Sequence, residues 1–344
     1  MNAYVGLDIS LKRTSICVVD EDGGIRLEGT VASDPDAIAN FVQARAPATR
    51  RVGMESGPTS VWLWRELTER GLPVICIDAR HARAALSMQI NKSDRNDAAG
   101  IARIMQTGWY REVQAKSPDS HATRALLNSR ALLVKIQRDL ENQVRGLLKM
   151  SGLIVGRAKD GVFAQRTQAL LASHPVLAEV ALPLLVARES VHKQLMTIEC
   201  RVRRLAHANM QARAFMTVPG IGPVTALAFL AAIDDPNRFR RSRAVGAYLG
   251  LTPRRYASGE VDWSGRISKC GDTMVRTYLF EAAGVLLTRV QKWCALKAWG
   301  LRLAKRAGMK KARTALARKL AVVLHRMLWR DGTQFRWTAQ PAAS

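Results

Sequence analysis

The order of apolar segments in residues 1–115 restricts the fold of this chain more than any other feature. Short runs rich in Val, Ile and Leu alternate with stretches whose apolar residues recur every three or four positions, which indicates strands and helices respectively. The predicted strands are Tyr4–Ile9, Thr14–Asp20, Ile25–Ala32, Arg51–Glu55 and Leu72–Ile77, and the predicted helices are Asp34–Ala46, Ser60–Arg70 and Asp94–Thr107. The first three strands follow one another directly and are expected to be antiparallel. The pattern therefore predicts an α/β domain.

Three strands followed by helix, strand, helix, strand and helix is the element order of an RNase H-like domain, although other α/β folds have similar orders. Beyond residue 115 the pattern is helical. Apolar periodicity at 117–150 and Leu182–Ala214 predicts a helical hairpin or coiled coil over 116–214. Residues 215–335 are predicted to form a mostly helical C-terminal domain ending in a basic helix, Arg302–Arg330, and residues 336–344 form a tail.

Charge divides the chain at the same place. Residues 1–115 contain 14 basic and 14 acidic side chains, whereas residues 116–344 contain 39 basic and 14 acidic ones, so the net charge of +25 lies entirely in the second part. A neutral domain joined to a strongly basic one indicates a catalytic domain followed by a part of the chain that binds a polyanion. Nucleic acid is the expected polyanion, and a membrane surface is the alternative.

The sequence disfavours a membrane or secreted protein. No segment has the uninterrupted apolar length that a membrane span requires, and the first residues begin with a strand-like run rather than a signal peptide. The five cysteines are scattered without a Cys-x-x-Cys pair, which disfavours both a disulfide framework and a zinc site. We therefore expect a cytoplasmic protein that acts at the nucleoid and has no membrane partner.

Four carboxylates are predicted to lie at strand ends and at a helix start, where the active sites of α/β sheets are usually found. Asp8 ends the first predicted strand, Glu55 ends the fourth, and Asp94 and Asp97 open the third helix with a spacing that puts both on one face. Each also has a simpler explanation: Asp94 as a helix N-cap, Asp97 as the partner of Arg95 or Arg103, and the other two as turn residues. Clustered acids repel one another and divalent cations remove that cost, so the four together favour a metal site.

A glycine-containing turn precedes the predicted apolar helix Val224–Ile233. In Pro219-Gly220-Ile221-Gly222-Pro223 the glycines allow close backbone approach, and the following helix start offers free N–H groups to a phosphate. The segment is similar to the turn of helix-hairpin-helix DNA-binding motifs, and an ordinary helix–helix turn is the simpler alternative. The basic surroundings favour contact between Gly220, Gly222 and a phosphate backbone.

A second basic segment, Gly250–Gly259, is predicted to be irregular. The residues that could contact a phosphate here and just beyond are Arg254, Arg255, Ser258, Arg266 and Lys269. Paired guanidinium groups bind phosphate well, and a nearby hydroxyl could be presented to it. From the residues alone, however, Ser258 is a turn serine beside Gly259, and the acids Glu260 and Asp262 are unexpected beside a phosphate.

These motifs together resemble the DEDD-type transposases of the IS110 insertion-sequence family, which includes the IS1111 group. GLDIS, GMESG, KSDRNDA, PGIGPVTA and GLTPRRYASG occur in the family's order, and the resemblance covers nearly the whole chain. It implies an RNase H-like N-terminal domain, similar to Holliday-junction resolvases, in which Mg²⁺ is held by a tetrad that falls on Asp8, Glu55, Asp94 and Asp97. It also implies that Ser258 is a nucleophile.

The resemblance further implies a mechanism and partners. Ser258 would attack the scissile phosphate and form a phosphoserine intermediate, while the metal-bound tetrad stabilises the charge of the transition state. Members of the family are understood to act as homo-oligomers, dimers that assemble into tetramers, with an element-encoded bridge RNA that pairs with donor and target DNA. The active site would be composite, with the tetrad of one subunit meeting the serine of another.

Three other functions fit parts of the pattern. A Holliday-junction resolvase-like nuclease would use the tetrad with water as nucleophile and would tolerate Ser258→Ala. A sugar kinase or actin-like ATPase has a first phosphate loop similar to Gly-Leu-Asp-Ile-Ser, but no second Gly-rich loop is evident and the charge of +25 does not suit a small-molecule kinase. An architectural nucleic-acid-binding protein would have no use for an intact tetrad.

Overall fold

The computed structural model describes residues 2–87, 93–157, 160–329 and 334–335. The chain divides into two compact units, Met1–Lys116 and Ser117–Ser344. The predicted tail at 336–344 lies outside the described residues, as does Lys92 of the KSDRNDA motif. The further separation of 116–214 from 215–335 stays a prediction.

The first unit is built on a five-stranded sheet with the order β3-β2-β1-β4-β5. Its strands are β1 Ala3–Ile9, β2 Arg13–Val19, β3 Ile25–Ala32, β4 Thr49–Glu55 and β5 Val74–Ile77. The first three form an antiparallel meander, whereas β4 runs parallel to β1 and β5 runs parallel to β4. Parallel strands need a crossover connection, and helices supply it here. The predicted mixed α/β organisation is confirmed.

The helices of the first unit are α1 Pro35–Arg45, α2 Ser60–Glu69, α3 Ala79–Leu86 and α4 Asp94–Thr107. The predicted N-cap of α1 is confirmed, because the Asp34 carboxylate accepts hydrogen bonds from the N–H groups of Asp36 and Ala37, both at 3.0 Å. The sequence pattern did not predict α3. This helix fully buries only Ala82, with Ala85 and Leu86 partly buried beside it, so its apolar stripe is short and consists mostly of alanine, which is a weak signal in a sequence.

Side chains alternate between the two faces of the sheet. Val5 and Leu7 of β1 point to one face, where they pack with Ile38 of α1 and Leu63 of α2 in a buried core. Burying each of these side chains contributes about 1.5–3 kcal/mol. The other face of β1 carries Gly6, and α4 packs closely there.

The second unit begins with two long helices, α5 Pro118–Met150 and α7 Pro175–Ala208, with α6 Asp160–Leu171 between them. The predicted helix at 117–150 is confirmed, but the predicted stretch Leu182–Ala214 is wrong at both ends. The helix begins at Pro175 and passes through Pro183, and it ends before Asn209. The Asn209 side chain accepts the Ala212 N–H at 2.8 Å and so starts a separate short helix, α8 Met210–Met216.

The rest of this unit packs around one large apolar core. Its elements are α9 Pro223–Ile233, a 3₁₀ turn at Pro236–Arg238, α10 Arg243–Tyr248, the strands β6 Pro253–Ser258 and β7 Val261–Ile267, α11 Thr273–Thr288, α12 Ala295–Ala307 and α13 Met309–Trp329. Phe215, Phe229, Leu279, Leu316 and Leu324 are among the buried core residues. None of the described helices combines the length and apolarity that a membrane span needs.

Two predictions for this part are wrong. The basic segment Arg302–Arg330 is not one helix, because Gly308 adopts a positive φ of 86° and separates α12 from α13. Arg330 lies outside the described residues. The segment Gly250–Gly259 is not irregular throughout, since Pro253–Ser258 pairs with β7 in an antiparallel hairpin.

Candidate functional site

Asp8 and Glu55 lie at the ends of two neighbouring parallel strands. In the register of β1 and β4, Gly6 lies beside Gly53 and Leu7 beside Met54, so the next residue of β1 is Asp8 and that of β4 is Glu55. Both acidic residues are half-buried. The carboxyl edge of the sheet therefore carries two acidic side chains on adjacent strands.

Helix α4 runs antiparallel to these strands across the face that carries Gly6 and Gly53. A Cβ at Gly6 would lie 2.0 Å from the Ala98 carbonyl oxygen, and a Cβ at Gly53 would lie 2.5 Å from the Met105 side chain. Arg51, in the earlier part of β4, donates to the Met105 carbonyl near the end of α4 at 2.9 Å. Because the end of α4 lies near the middle of β4, its beginning lies at the carboxyl edge of the sheet.

Asp94 and Asp97 occupy the first turn of α4. Ser93 is the N-cap, since its hydroxyl accepts the Asn96 N–H at 3.2 Å, so the explanation of Asp94 as the helix cap is wrong. Arg95 forms an ion pair with Glu28 rather than with Asp97. Among the ion pairs of the described residues, none joins Asp97 to Arg103 either, so both simpler explanations for these aspartates are weakened.

The fold places the four predicted acidic residues at one edge. Strand alternation puts Asp8 on the same side as Gly6 and Glu55 on the same side as Gly53, which is the side that α4 covers. Their oxygen donors suit a hard divalent cation. Among the described residues, no group of three or more His, Cys, Asp and Glu side chains is arranged to hold a metal ion. A cation would counter the repulsion among the acids and draw them together.

Ser258 lies at the tip of the β6–β7 hairpin. It ends β6 and pairs with Val261, which leaves Gly259 and Glu260 as a two-residue turn. Gly259 has φ +55°, the sign that a type II′ turn requires at its first central position. Ser258 is exposed, so its hydroxyl is accessible.

An exposed aromatic pair shares the face of the hairpin on which Ser258 lies. Tyr256 is directly opposite Trp263, and Ser258 is two residues further along β6, so strand alternation puts all three side chains on the same side. The two rings stack with centroids 6.0 Å apart and an interplanar angle of 29°. Tyr256 is 55% exposed and Trp263 56% exposed. Flat aromatic surface is thus open to solvent beside the serine.

Arg255 and Asp262 lie on the opposite face of the hairpin. The Arg255 guanidinium donates two hydrogen bonds to the Asp262 carboxylate, at 2.8 and 2.7 Å. The same guanidinium holds the pKa of Asp262 below its ordinary value. Of the two acids that were unexpected near a phosphate site, Asp262 is therefore paired and on the face away from Ser258, whereas Glu260 lies in the turn. Contact between Arg255 and a phosphate stays a prediction, and the N–H groups of Nη1 are not used in this ion pair.

The other predicted basic residues lie at the base of the hairpin. Arg254 donates from Nη2 to the Ser268 carbonyl at 3.3 Å. Arg266 and Lys269 are exposed, and Lys269 adopts a positive φ of 55°. Their contact with phosphate stays a prediction.

Gly220 and Gly222 have different structural roles. Gly220 has φ +86°, and a Cβ there would lie 2.4 Å from the Ala282 carbonyl oxygen, so this glycine allows close packing against α11. Gly222 is the N-cap of α9 and has open space around the position of a Cβ. The contact of this turn with a phosphate backbone stays a prediction.

Sequence reasoning missed the pairing of Tyr256 with Trp263. A signal was available in the chain, because residues on both sides of Gly259-Glu260 form short runs suited to two strands joined by a two-residue turn. Reading them as a hairpin would have placed the two aromatic rings opposite each other.

Comparison with known proteins identifies the family. Residues 212–299 match the model of the transposase IS116/IS110/IS902 family, and residues 5–151 match the model of DEDD transposases of the IS110 type. The transposase for insertion sequence element IS1111A of Coxiella burnetii is 32% identical, over 96% of this chain and 90% of the relative. A probable family 20 transposase of Pseudomonas aeruginosa is also 32% identical, over 81% of this chain and 84% of the relative.

Among solved structures, the chain is similar to Thermus thermophilus RuvC, with 15% identity and a TM-score of 0.26, over 32% of this chain and 99% of that one. This structural similarity is too weak to support the family assignment, which rests on the sequence relatives. The relatives cover nearly the whole chain at 32% identity, and both family models match in the expected order. This chain therefore belongs to the IS110/IS116/IS902 family of insertion-sequence transposases, enzymes that cleave and join DNA.

Proposed function

We propose that this transposase cleaves DNA with Ser258 as nucleophile, assisted by Mg²⁺ held by Asp8, Glu55, Asp94 and Asp97 in an RNase H-like unit. The observation that carries the proposal is the exposed position of Ser258 at the hairpin tip, on the same face as two stacked aromatic rings. The topology of the first unit supports the metal site, because two strand ends and one helix start bring the acids to a single edge.

The serine step forms one bond and breaks one. The Ser258 Oγ attacks the phosphorus of the scissile phosphodiester, the P–O bond to the leaving strand breaks, and the hydroxyl proton passes to a carboxylate or to water. The product is a phosphoserine, which a hydroxyl of another DNA strand can attack in turn to rejoin the ends. We call the sheet edge that carries Asp8, Glu55, Asp94 and Asp97 the acidic edge. A divalent cation bound there would supply positive charge to offset the negative charge that develops on the phosphoryl oxygens.

Tyr256 and Trp263 are proposed to position the DNA next to Ser258. An unpaired base can stack on an exposed ring, and such stacking contributes about 1–3 kcal/mol per base. Because the rings and the serine share one face of the hairpin, a base stacked there would hold its neighbouring phosphate near the hydroxyl. The paired Arg255 and Asp262 on the other face would stabilise the hairpin instead.

We also propose that a bridge RNA guides the enzyme and that dimers assemble into a tetramer with a composite active site. The support is the family resemblance, together with the basic second part of the chain. Its excess of 39 basic over 14 acidic residues suits the binding of more than one nucleic-acid strand. Sequence would then be read by base pairing, while the protein contacts the backbones.

A metal-dependent nuclease that uses water is the second candidate. The observation in its favour is that all four acidic residues belong to the first unit, so the metal site needs no residue from the second. In that case Ser258 would be dispensable.

The test is a cleavage assay on element-end DNA with Mg²⁺ and the noncoding RNA that flanks the gene. We expect the wild type to form a covalent protein–DNA adduct. Ser258→Ala and Asp8→Ala should form none, with cleavage lowered by about 10³-fold or more, as when a covalent nucleophile is removed. Omitting the RNA should abolish cleavage, and chelating the metal should do the same.

Ser264→Ala is the matched control. Ser264 is an exposed serine of the same hairpin but lies opposite Arg255, on the face away from Ser258. Its variant should form the adduct at the wild-type level. If Ser258→Ala cleaves DNA as fast as the wild type while Asp8→Ala does not, and no adduct forms in any sample, the serine mechanism is wrong and the hydrolytic nuclease is right.

A further inference from the structure

The second unit has an open cavity between the segment that precedes α10 and the end of α13. Its volume is about 830 Å³. Its lining includes Arg240, Arg241, Arg243, Arg326, Trp329 and Phe335. None of them belongs to the acidic edge, to the hairpin or to the glycine turn that precedes α9.

The cavity concentrates positive charge. Its lining includes four arginines, all exposed, and no acidic residue. Among the ion pairs between described residues, none involves these four side chains, whereas Arg255, Arg130 and Arg188 in the same unit each have an acidic partner. Four arginines that line one cavity without an acidic partner indicate an anionic ligand, and the forked shape of the guanidinium group suits phosphate.

The cavity also offers aromatic surface. Trp329 is 43% exposed, and its ring packs edge-on against the buried ring of His325, with centroids 4.9 Å apart. Phe335 is held in place by its N–H, which donates to the Thr217 hydroxyl at 2.8 Å. A rigid, partly exposed indole beside arginines is suited to a ligand that has both a flat ring and a negative charge.

Hydrogen bonds hold the two sides of the cavity together. His325 of α13 is fully buried, with Nδ1 3.0 Å from the Ser242 hydroxyl and Nε2 3.2 Å from the Pro236 carbonyl oxygen. Ser242 lies between Arg241 and Arg243 in the chain, so these bonds tie the arginine segment to the helix that carries Arg326 and Trp329. The cavity is therefore formed before any ligand binds.

We propose that this cavity binds one unpaired nucleotide of a single-stranded or bulged nucleic acid, with its base on Trp329 and its flanking phosphates on the arginines. The volume lies within the range of about 300–1,000 Å³ that is typical of sites for single small ligands. Bases in a duplex are already stacked and paired, so they cannot enter. An acidic peptide would use the charges but leave the indole face unused. This site goes beyond the cleavage function proposed above and does not depend on Ser258.

The experiment measures fluorescence anisotropy of labelled 12-nucleotide DNA and RNA single strands, a blunt duplex, and an acidic peptide, with the full chain. Trp329→Leu should weaken single-strand binding by about tenfold, since one base–aromatic stack is lost. Arg326→Gln should weaken it as well and lower the dependence on salt concentration by about one phosphate contact. Duplex binding should change by less than twofold in Trp329→Leu.

Matched controls separate the cavity from the general charge of the surface. Trp293 of the same unit is 45% exposed, so Trp293→Leu removes a similar indole elsewhere. Arg302→Gln removes an exposed arginine of α12. Both controls should bind single strands as the wild type does. Photo-crosslinking of a bound iodouracil-containing strand provides a second measurement that does not rely on stability, and the crosslink should map to Trp329 or to residues 240–243.

The outcomes distinguish an RNA ligand from a DNA ligand, and both from non-specific charge or an acidic peptide. Tighter Trp329-dependent binding of RNA than of DNA would assign the nucleotide to an RNA partner, and the reverse would assign it to a DNA strand; either supports the site. Equal losses for duplex and single strand, loss with Trp293→Leu but not with Trp329→Leu, or Trp329-dependent binding of the acidic peptide would each overturn it. Because no cleavage is measured, failure of the serine mechanism would leave the result unchanged.

Discussion

At the scale of single residues, the acidic edge depends as much on small residues as on the acids themselves. Gly6 lets the backbone of α4 approach β1 so closely that a methyl group would overlap the Ala98 carbonyl. Gly53 does the same for the Met105 side chain. The start of α4, with Asp94 and Asp97, lies at the ends of β1 and β4 only while this close contact persists. A substitution at a glycine, which has no functional side chain, can therefore displace the acids.

Gly6→Ala tests this dependence. The added Cβ would lie 2.0 Å from a backbone oxygen that cannot rotate away, so α4 must shift as a whole. We expect the free energy of unfolding to fall by about 3 kcal/mol, the upper part of the range for overpacking, and DNA cleavage to be lost. Thermal unfolding measures the first effect and the cleavage assay the second.

Gly57→Ala is the control for stability, because a Cβ there would meet no atom within 4 Å. Its unfolding temperature should stay near that of the wild type. An unchanged unfolding temperature in Gly6→Ala would show that α4 is not locked onto β1 in this way.

At the scale of elements, the long helices α5 and α7 are joined by ion pairs as well as by apolar packing. Arg188 is almost fully buried and donates to Oε1 of Glu141 from Nε at 3.1 Å and from Nη2 at 2.9 Å. Arg130 of α5 pairs with Glu199 of α7 further along, so the helices run antiparallel. A buried arginine is costly unless its charge is compensated, which makes the pairing specific for one register.

Glu141→Leu should lower the free energy of unfolding by about 3–5 kcal/mol, because it leaves the Arg188 charge buried without its main partner. Replacing both residues, with Glu141→Leu and Arg188→Leu, should restore most of the loss. Denaturant unfolding of the single and double variants checks this. Glu189→Gln serves as the comparison, since Glu189 is largely exposed and lies 3.7 Å from Arg188. A double variant as unstable as Glu141→Leu would contradict the explanation.

At the scale of the whole molecule, charge is distributed unevenly along the chain. The part proposed to hold the metal is neutral, and the part proposed to bind nucleic acid is strongly basic. The first 115 residues are neutral, and the net charge of +25 lies beyond them. The four acids that we propose as metal ligands therefore lie in the part of the chain that has no excess positive charge. We expect the basic part to contribute most of the affinity for phosphate backbones.

Binding to duplex DNA should therefore fall steeply with salt. If six or more phosphates are contacted, affinity should drop by at least about 10³-fold between 50 and 200 mM salt. Anisotropy titrations at several salt concentrations measure the slope. Asp8→Ala should keep the wild-type slope, because it removes an acid from the neutral part. A drop of less than tenfold in the wild type would mean that few phosphates are contacted.

Local features of the sequence determined most of the secondary structure of the first unit. The five strands of the first unit, the N-cap Asp34, the bounds of α4 and the placement of the four acids on these elements could all be predicted, because side-chain periodicity and capping depend on residues close together in the chain. The same reasoning missed α3, whose short apolar stripe consists mostly of alanine. It also missed the break at Gly308, because a single glycine inside a helical pattern does not reveal its φ.

Only the tertiary structure decided which of these features meet. The antiparallel crossing of α4 over β1, the shared face of Ser258, Tyr256 and Trp263, and the pairing of Arg255 with Asp262 all depend on register and packing. The arginine cavity is the extreme case, since the 240–243 segment and α13 are far apart in the chain and meet through the buried His325. Periodicity reports how each segment folds, whereas contacts between distant segments are set by the packing of the whole core.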